Sequence, residues 1–333
     1  MKKFCTGLVL VFVALQLSFA GGGKQADVSG GSVHIGISKI LQHPSLDACE
    51  QGVKDAIAAQ GINAVYDSQN ANGDLSTATQ IANKFNNEKV KVAVGIATPA
   101  AQALANMLKT IPVVFTAVTD PVAAGLVRTV AHGENNVTGA SDAIPTAENI
   151  ALFKEIAGIK TLGYIYTSSE ANSIAELELV TKAAADTGLT LVTQTVNTTA
   201  DVKQAAQTIA GRVDGIYMST DNTVFTAFPA IIEVFRAAKK PIFAGAADGA
   251  KDGGCMIASG SNYYKLGLST GNIVADILKG RKPSEIAVKF ATEPSELDFL
   301  IDLDAAKNCG IVIPQKYIDQ ATMIFENGKL TEK

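Results

Sequence analysis

Small polar and acidic side chains follow several predicted strands, and together they could bind a small charged molecule. The stretch 160–173 begins as a strand over 161–167 and then turns polar. Hydroxyl and amide groups can bind either charge of a ligand, and a carboxylate can accept from an ammonium group. Ligands of open α/β sheets lie beyond the carboxyl ends of the strands. The stretch therefore predicts a binding loop made of Ser168, Ser169, Glu170, Asn172 and Ser173.

A second strand end predicts a site for a carboxylate. Thr98 and Pro99 follow the predicted strand 90–96, and they suit the N-cap and first position of a helix. The start of a helix offers free N–H groups and a partial positive charge. Small neighbours such as Ala97 would let a ligand approach closely. An ordinary helix cap is the alternative.

Aspartates at two further strand ends could hold an ammonium group. Asp221, beside Asn222, follows the predicted strand 215–218, and Asp248 follows 241–244. A buried zwitterion needs a partner for each of its charges. Asp248 could instead form a turn before glycine. The remaining candidates at strand ends are Gln42, His43, Ser45, Thr119 and Asp120.

The elements that carry these residues repeat along the chain. The helix expected from Asp74 has a counterpart starting at Asp201, Pro112 precedes a strand as Pro241 does, and Asp120 corresponds to Asp248. The matches occur in the same order at nearly constant spacing. This repetition predicts two Rossmann-like α/β lobes of the same βαβ design, joined by a hinge of crossover segments, with a ligand cleft between them.

The predicted boundaries assign 33–142 and 248–282 to lobe 1, and 143–247 and 283–325 to lobe 2. The first crossover is expected at 140–146. Elements after Asp248 have no counterpart in the first half, so we expect them to complete both sheets.

Ser173 and Glu176 have the spacing of a capping box, which predicts the start of the helix that follows strand 161–167.

The N-terminus has the pattern of a signal peptide over 1–20. Lys2 and Lys3 precede an apolar run over 8–17, and small residues predict cleavage near Ala20. A flexible tether is expected over 21–32. The protein is therefore predicted to be exported.

Composition excludes several classes of protein. A formal net charge of −4 without a basic block disfavours nucleic-acid binding, and 333 residues with 47% hydrophobic content suit two domains. Three cysteines remain after the signal, scattered at Cys49, Cys255 and Cys309. One disulfide would have three possible pairings, and free thiols are favoured. We expect no metal and no cofactor, because no cluster of cysteine and histidine is present.

Motifs of common enzymes are absent. The sequence contains no G-x-S-x-G, P-loop, G-x-G-x-x-G or H-E-x-x-H pattern. A binding protein is therefore favoured over an enzyme.

Several of these motifs together resemble a known family. The chain is similar, from about residue 33 to 320, to the substrate-binding proteins of ABC transporters in the tryptophan/tyrosine-binding group. The similarity lies in His43-Pro-Ser-Leu-Asp47, Val94-Gly-Ile-Ala-Thr-Pro-Ala-Ala-Gln102, Thr119-Asp-Pro121, Asn136-Val-Thr-Gly-Ala-Ser-Asp142, Tyr166-Thr-Ser-Ser-Glu-Ala-Asn-Ser173 and Thr220-Asp-Asn-Thr223.

The resemblance implies a type I periplasmic-binding-protein fold whose lobes close on an aromatic amino acid. A monomer would deliver that ligand to a membrane permease with its ATPase. A sensory module, or the same fold with a branched-chain amino acid or a nucleoside, remains as an alternative. Many members carry a lipid-modified cysteine after the signal, but 21–23 are glycines here. A periplasmic protein without a lipid anchor is therefore expected. Phe115, Tyr166 and Phe225 would line the side-chain pocket or belong to the core.

Overall fold

Two β-sheets with flanking helices make up residues 32–333, the part of the chain that the computed structural model describes. The predicted signal peptide and nearly all of the predicted tether lie outside these residues. None of the helices in the described part combines the length and apolar character needed to cross a membrane.

The first sheet is entirely parallel, so its strands all end at one edge. Its strands are β1 Val33–Lys39, β2 Ala64–Asn70, β3 Val92–Ile96, β4 Val113–Thr116, β5 Val137–Ser141 and β11 Lys289–Phe290, in the spatial order β11-β5-β4-β3-β1-β2. The accompanying helices are α1 Pro44–Ala59, α2 Leu75–Glu88, α3 Thr98–Met107 and α9 Tyr263–Leu278. Strands such as β3 are buried along their whole length, which explains their continuous apolar sequence.

The second sheet is mixed. Its strands are β6 Thr161–Thr167, β7 Thr190–Val196, β8 Gly215–Met218, β9 Ile242–Ala244, β10 Ile257–Ser261, β12 Leu297–Asp302, β13 Met323–Glu326 and β14 Lys329–Glu332, in the order β14-β13-β12-β10-β9-β8-β6-β7. Its helices are α4 Thr146–Ala157, α5 Ala171–Thr187, α6 Val202–Ala210, α7 Asn222–Thr226, α8 Phe228–Ala237, α10 Leu303–Asn308 and α11 Gln315–Gln320. Strands β6 to β10 run parallel, whereas β12 is antiparallel to β10.

The predicted repeat is confirmed by strand order. The segment β4-β3-β1-β2 of the first sheet has the same arrangement as β9-β8-β6-β7 of the second. The later elements complete both sheets, as expected, because β10 and β12 join the second sheet and β11 joins the first.

The predicted lobe boundaries are wrong at two places. Residues 248–261 were assigned to lobe 1, but Ile257 pairs with Phe243 and Ile301 in the second sheet. Residues 283–290 were assigned to lobe 2, but Lys289 pairs with Ala140 in the first. The chain extends the second sheet by one more parallel strand before it crosses, so the second crossover follows Ser261.

Hydrogen bonds connect the three crossovers between the lobes. The first spans 142–145, the second lies at Asn262, and the third spans 291–296. Tyr263 Oη donates to Asp142 Oδ2 at 2.5 Å, and Asn262 N donates to Glu296 O at 2.8 Å. The crossover segments that form the hinge are therefore connected to one another by hydrogen bonds.

Candidate ligand-binding site

The two lobes contact each other where the carboxyl edges of their parallel strands meet. The hydroxyls of Thr119 and Thr220 are 2.8 Å apart across this cleft. The rings of His43 and Phe225, also from opposite lobes, have centroids 6.1 Å apart. The structure therefore presents the lobes in a closed arrangement.

Buried polar atoms without a hydrogen-bond partner are concentrated at this cleft. Folded proteins leave few such atoms unpaired, because each one costs its lost hydration. With the exception of Tyr217, all the residues that carry them lie at strand ends or crossovers facing the cleft. They are Ser38, His43, Ser45, Thr98, Asp142, Asn172, Asp248, Ser261 and Asp298. A polar ligand enclosed here would satisfy them.

The start of α3 is the part of this cleft suited to a carboxylate. The helix begins at Thr98, so Ala97 is the N-cap and the prediction that Thr98 caps the helix is wrong. The Thr98 hydroxyl makes no capping bond, although it is buried. Pro99 lies in the first turn, as expected, and the first-turn residues are buried. The hydroxyl and the helix N-terminus are thus both available to an anionic group.

Glu170 and Asp221 belong to a buried network of hydrogen bonds within the second lobe. Asp221 accepts hydrogen bonds from the backbone and hydroxyl of Thr167, from Ser173 Oγ and from Val224 N. These four bonds use the acceptor capacity of a carboxylate. The assignment of Asp221 to the ammonium group is therefore not supported, because its oxygens already hold β6, α5 and α7 together.

Glu170 has the same structural role at the start of α7. Its carboxylate accepts from Asn222 and from the backbone and hydroxyl of Thr223. Burial and the nearby Asp221 charge together raise the Glu170 pKa to about 7, although these hydrogen bonds act to lower it. Asn172 joins the network through Nδ2, which donates to Thr220 O at 3.2 Å, while its Oδ1 has no partner.

The predicted capping box of α5 is wrong. The helix begins at Ala171, so Ser173 lies within its first turn and its hydroxyl donates to Asp221 at 2.6 Å. Glu176 instead accepts a hydrogen bond of 2.8 Å from the Thr146 hydroxyl. Burial raises the Glu176 pKa to about 7, from a usual value of 4.5.

Glu176→Gln should stabilise the unliganded protein at pH 8 but not at pH 4. The folded protein keeps the Glu176 proton up to about pH 7, whereas the unfolded chain loses it near pH 4.5. Stability therefore falls as pH rises between these values, and glutamine removes this loss while retaining an acceptor for Thr146. We expect a gain of up to about 3 kcal/mol in the free energy of unfolding at pH 8.

Urea unfolding at both pH values measures this difference. Glu178→Gln, at an exposed position of the same helix, serves as the control and should have no pH-dependent effect. An equal change for Glu176→Gln at pH 4 and pH 8 would contradict the assignment.

Asp248 is the predicted acid that keeps a free oxygen at the cleft. Its Oδ2 has no partner, and Lys251 Nζ lies 3.3 Å from Oδ1. Burial raises the Asp248 pKa, while Lys251 and the neighbouring Ser45 hydroxyl oppose that shift. Ser45 belongs to lobe 1 and Asp248 follows β9 of lobe 2, so they face each other across the cleft.

His43 supplies a neutral imidazole to the cleft. Burial lowers the His43 pKa to about 4, so the ring is uncharged at neutral pH. Both ring nitrogens are buried without a partner. A neutral ring offers one donor and one acceptor. The His43 and Phe225 rings together provide an aromatic surface in the cleft, and the imidazole nitrogens can also hydrogen-bond.

Other predicted residues lie away from the enclosed space. Gln42, Ser168, Ser169 and Asp120 are exposed, and Asp120 Oδ1 accepts from the backbone of the following turn. Phe115 is a core residue. Tyr166 is half-buried and stacks on Tyr164 with ring centroids 6.0 Å apart.

Sequence analysis missed Ser38, Asp142 and Ser261 as site residues. All three follow the same pattern as the recognised candidates, a small polar residue at the carboxyl end of a strand. The signal that could have identified Asp142 is its position in the motif 136–142, directly after β5. Ser261 could not be placed because its strand was assigned to the wrong lobe.

A possible cation site lies at a distance from the cleft. Among residues 32–333, His34, Asp67 and Glu88 place ligand atoms within 4.8 Å of one another. Lys84 Nζ forms an ion pair with Asp67 and lies 3.5 Å from Glu88, so an ammonium group already compensates these carboxylates.

Cys49, Cys255 and Cys309 are free thiols, as favoured, and Cys309 is only half-buried.

Comparisons with known proteins point to one family. The family described as ABC transporter substrate binding protein matches residues 34–324. A tyrosine-binding protein of Clostridioides difficile (strain R20291) is 34% identical over 279 residues, which cover 82% of this chain and 80% of the relative.

Two solved structures show the same fold in different states. The ABC domain in complex with L-Trp from Streptococcus pneumonia is 31% identical and has a TM-score of 0.84, covering 89% of this chain and 100% of that one. The ligand-free, open structure of a substrate-binding protein with adhesive properties from Clostridium difficile is 34% identical, has a TM-score of 0.64, and covers 85% and 96%. The lobes here are therefore arranged more like the ligand-bound relative, despite the lower identity.

Proposed function

Because this chain belongs to the family of ABC transporter substrate-binding proteins, we propose that it binds an aromatic amino acid between its lobes and delivers it to a membrane permease. The relatives support the ligand class, since one is a tyrosine-binding protein and another was solved with L-Trp. The proposed role is binding and not catalysis.

The observation that carries the proposal is the set of unpartnered polar atoms enclosed by both lobes. Donors and acceptors lie on each side of the cleft, including Thr98 on lobe 1 and Asn172 on lobe 2. A ligand that satisfies both sides favours the closed state over the open one, because only closure brings the two sets together.

The chemistry of the cleft fits a zwitterion with an aromatic side chain. The Thr98 hydroxyl and the start of α3 suit the α-carboxylate, with Thr119 nearby. The buried carboxylates of the cleft that keep a free oxygen suit the ammonium group. His43 and Phe225 are placed to contact the aromatic ring, and the imidazole can hydrogen-bond a phenol or an indole N–H.

A groove at the mouth of the cleft supports delivery to a permease. It has a volume of about 630 Å³ and contains residues of both lobes, among them Thr119 and Ile144. Val130 of lobe 1 and Ile174 and Leu179 of lobe 2, which line the groove, are between 38% and 49% exposed. A partner that binds both halves would distinguish the closed protein from the open one.

The proposed location is outside the cytoplasmic membrane, where substrate-binding proteins of ABC transporters act. We further propose that residues 1–20 are a signal peptide and that the protein is periplasmic without a lipid anchor. Both proposals rest on the sequence alone.

Thermal unfolding of the refolded mature chain against the twenty amino acids and a set of nucleosides tests the ligand class. Refolding removes any ligand that copurifies. A ligand at 100 times its dissociation constant adds about 2.7 kcal/mol to stability. For a domain of this size we expect the midpoint to rise by about 5–10 °C with L-tyrosine, L-tryptophan or L-phenylalanine.

Stabilisation by branched-chain amino acids or nucleosides alone would contradict the aromatic ligand while preserving closure on a small molecule. No shift with any compound would contradict the transport role and favour a protein that docks a receptor.

A further inference from the structure

Asp142 is a buried carboxylate of the cleft that keeps one free oxygen and forms no ion pair. It follows β5 directly, is 2% exposed, and its Oδ1 has no partner. Oδ2 accepts from Tyr263 Oη at 2.5 Å. Burial raises the Asp142 pKa, and only hydroxyl and backbone groups oppose this shift. A carboxylate buried without a cation is costly, so this position is suited to receive one.

Two other acids of the cleft are better satisfied than Asp142. Asp221 accepts four hydrogen bonds, and Asp248 has Lys251 at 3.3 Å. Asp298 resembles Asp142, because it accepts from Asn262 through one oxygen and its other oxygen has no partner, but it is 7% exposed whereas Asp142 is 2% exposed. A single ammonium group entering the cleft would gain most beside Asp142.

The position of Asp142 also links the ligand to the hinge. Its carboxyl lies near the Thr119 hydroxyl, which contacts Thr220 of the opposite lobe. Tyr263, which holds the other carboxyl oxygen, is the first residue of α9 after the second crossover. A cation bound by Asp142 would therefore act on two crossovers at once.

We propose that Asp142 binds the ammonium group of the ligand, oriented by Tyr263, and that this charge pair favours the closed arrangement. The inference rests on the proposed function, because it names the group that selects an amino acid over the same molecule without its amine.

The test compares L-tyrosine with its des-amino analogue, 3-(4-hydroxyphenyl)propionate, by calorimetric titration. Asp142→Asn should weaken L-tyrosine binding by about 100-fold or more, because a buried charge pair is lost. Binding of the analogue should be unchanged or stronger, because the analogue has no ammonium group for Asp142 to bind. Without ligand, the variant should unfold at a higher temperature than wild type, because an uncompensated buried charge has been removed.

Asp248→Asn tests the competing carboxylate of the cleft and should weaken L-tyrosine binding much less than Asp142→Asn does. Tyr263→Phe provides a second variant that keeps the carboxylate. It should weaken L-tyrosine binding by about tenfold, the value of one hydrogen bond to a charged group, and leave the analogue unaffected.

Equal losses for the amino acid and the analogue in both Asp142→Asn and Tyr263→Phe would overturn the inference, and so would a larger loss in Asp248→Asn. These results would leave the proposed function intact. A folded wild-type protein that binds no amino acid would overturn the proposed function, and the inference with it.

Discussion

A disulfide between positions 119 and 220 should stop the exchange of ligand. Thr119 belongs to lobe 1 and Thr220 to lobe 2, and their hydroxyls are 2.8 Å apart. Since each hydroxyl oxygen is one bond from its β-carbon, the two β-carbons are at most about 5.6 Å apart, and a small approach of the lobes would bring them to the roughly 3.5–4.5 Å that a disulfide spans. In Thr119→Cys/Thr220→Cys, oxidation would join the lobes in the closed state. Ligand could then neither enter an empty protein nor leave a loaded one.

The expected effect is a fall in the release rate of about two orders of magnitude or more, because opening gates release. The chain contains no tryptophan, so the indole fluorescence of bound L-Trp can be followed without background. The half-buried Cys309 should be replaced by serine in this variant and in its control, whereas Cys49 and Cys255 are buried.

The reduced double-cysteine protein is the matched control, and its own exchange rate is the reference, because Thr119 lies near the proposed carboxylate site. If the oxidised protein, with the disulfide verified by mass spectrometry, still exchanged L-Trp at the reduced rate, the ligand would not be enclosed between the lobes.

Gly267→Ala should destabilise the first lobe severely. Helices α1 and α9 approach so closely that a β-carbon at Gly267 would lie 2.1 Å from the backbone oxygen of Cys49. The same helices meet at Gly271, where a β-carbon would lie 2.5 Å from the backbone oxygen of Val53. Both obstacles are backbone atoms, so the helices must move apart. We expect a loss of about 3 kcal/mol in the free energy of unfolding, despite the higher helix propensity of alanine.

Gly211→Ala is the matched control for this substitution. A β-carbon at Gly211 meets nothing within 4 Å, and its φ of −73° suits alanine. Urea unfolding should show a change near zero or a slight stabilisation. A Gly267→Ala protein as stable as wild type would contradict the close packing of α1 against α9.

Local sequence signals predicted the repeated core of the fold. Apolar strands such as 92–96 and 161–167 are buried on both faces, which leaves a continuous apolar run in the sequence. The repeat then predicted the second lobe, because both halves use the same strand order. The boundaries after Asp248 failed, since no counterpart in the first half indicates which sheet receives β10.

The sequence indicates which strand ends carry buried polar residues, but not which hydrogen bonds those residues make. His43, Ser45, Thr98, Asn172 and Asp248 all lie at the cleft with unpartnered atoms. Asp221 and Glu170 were indistinguishable from ligand-binding acids in the sequence, because their partners come from segments distant along the chain. Asp221 binds Thr167 and Ser173, about 50 residues away. Only the tertiary structure shows that these carboxylates are already satisfied, whereas Asp142 is not.

The central claim is that the two lobes enclose one aromatic amino acid, and calorimetric titration of the refolded chain with L-tyrosine, L-tryptophan and L-phenylalanine tests it most directly. The account predicts saturable binding of at least one of them with a stoichiometry of one, a negative heat-capacity change from burial of the aromatic ring, and no binding by the oxidised, empty Thr119→Cys/Thr220→Cys protein. A folded protein that binds none of the three, or binds them equally well when its lobes are locked, would contradict it.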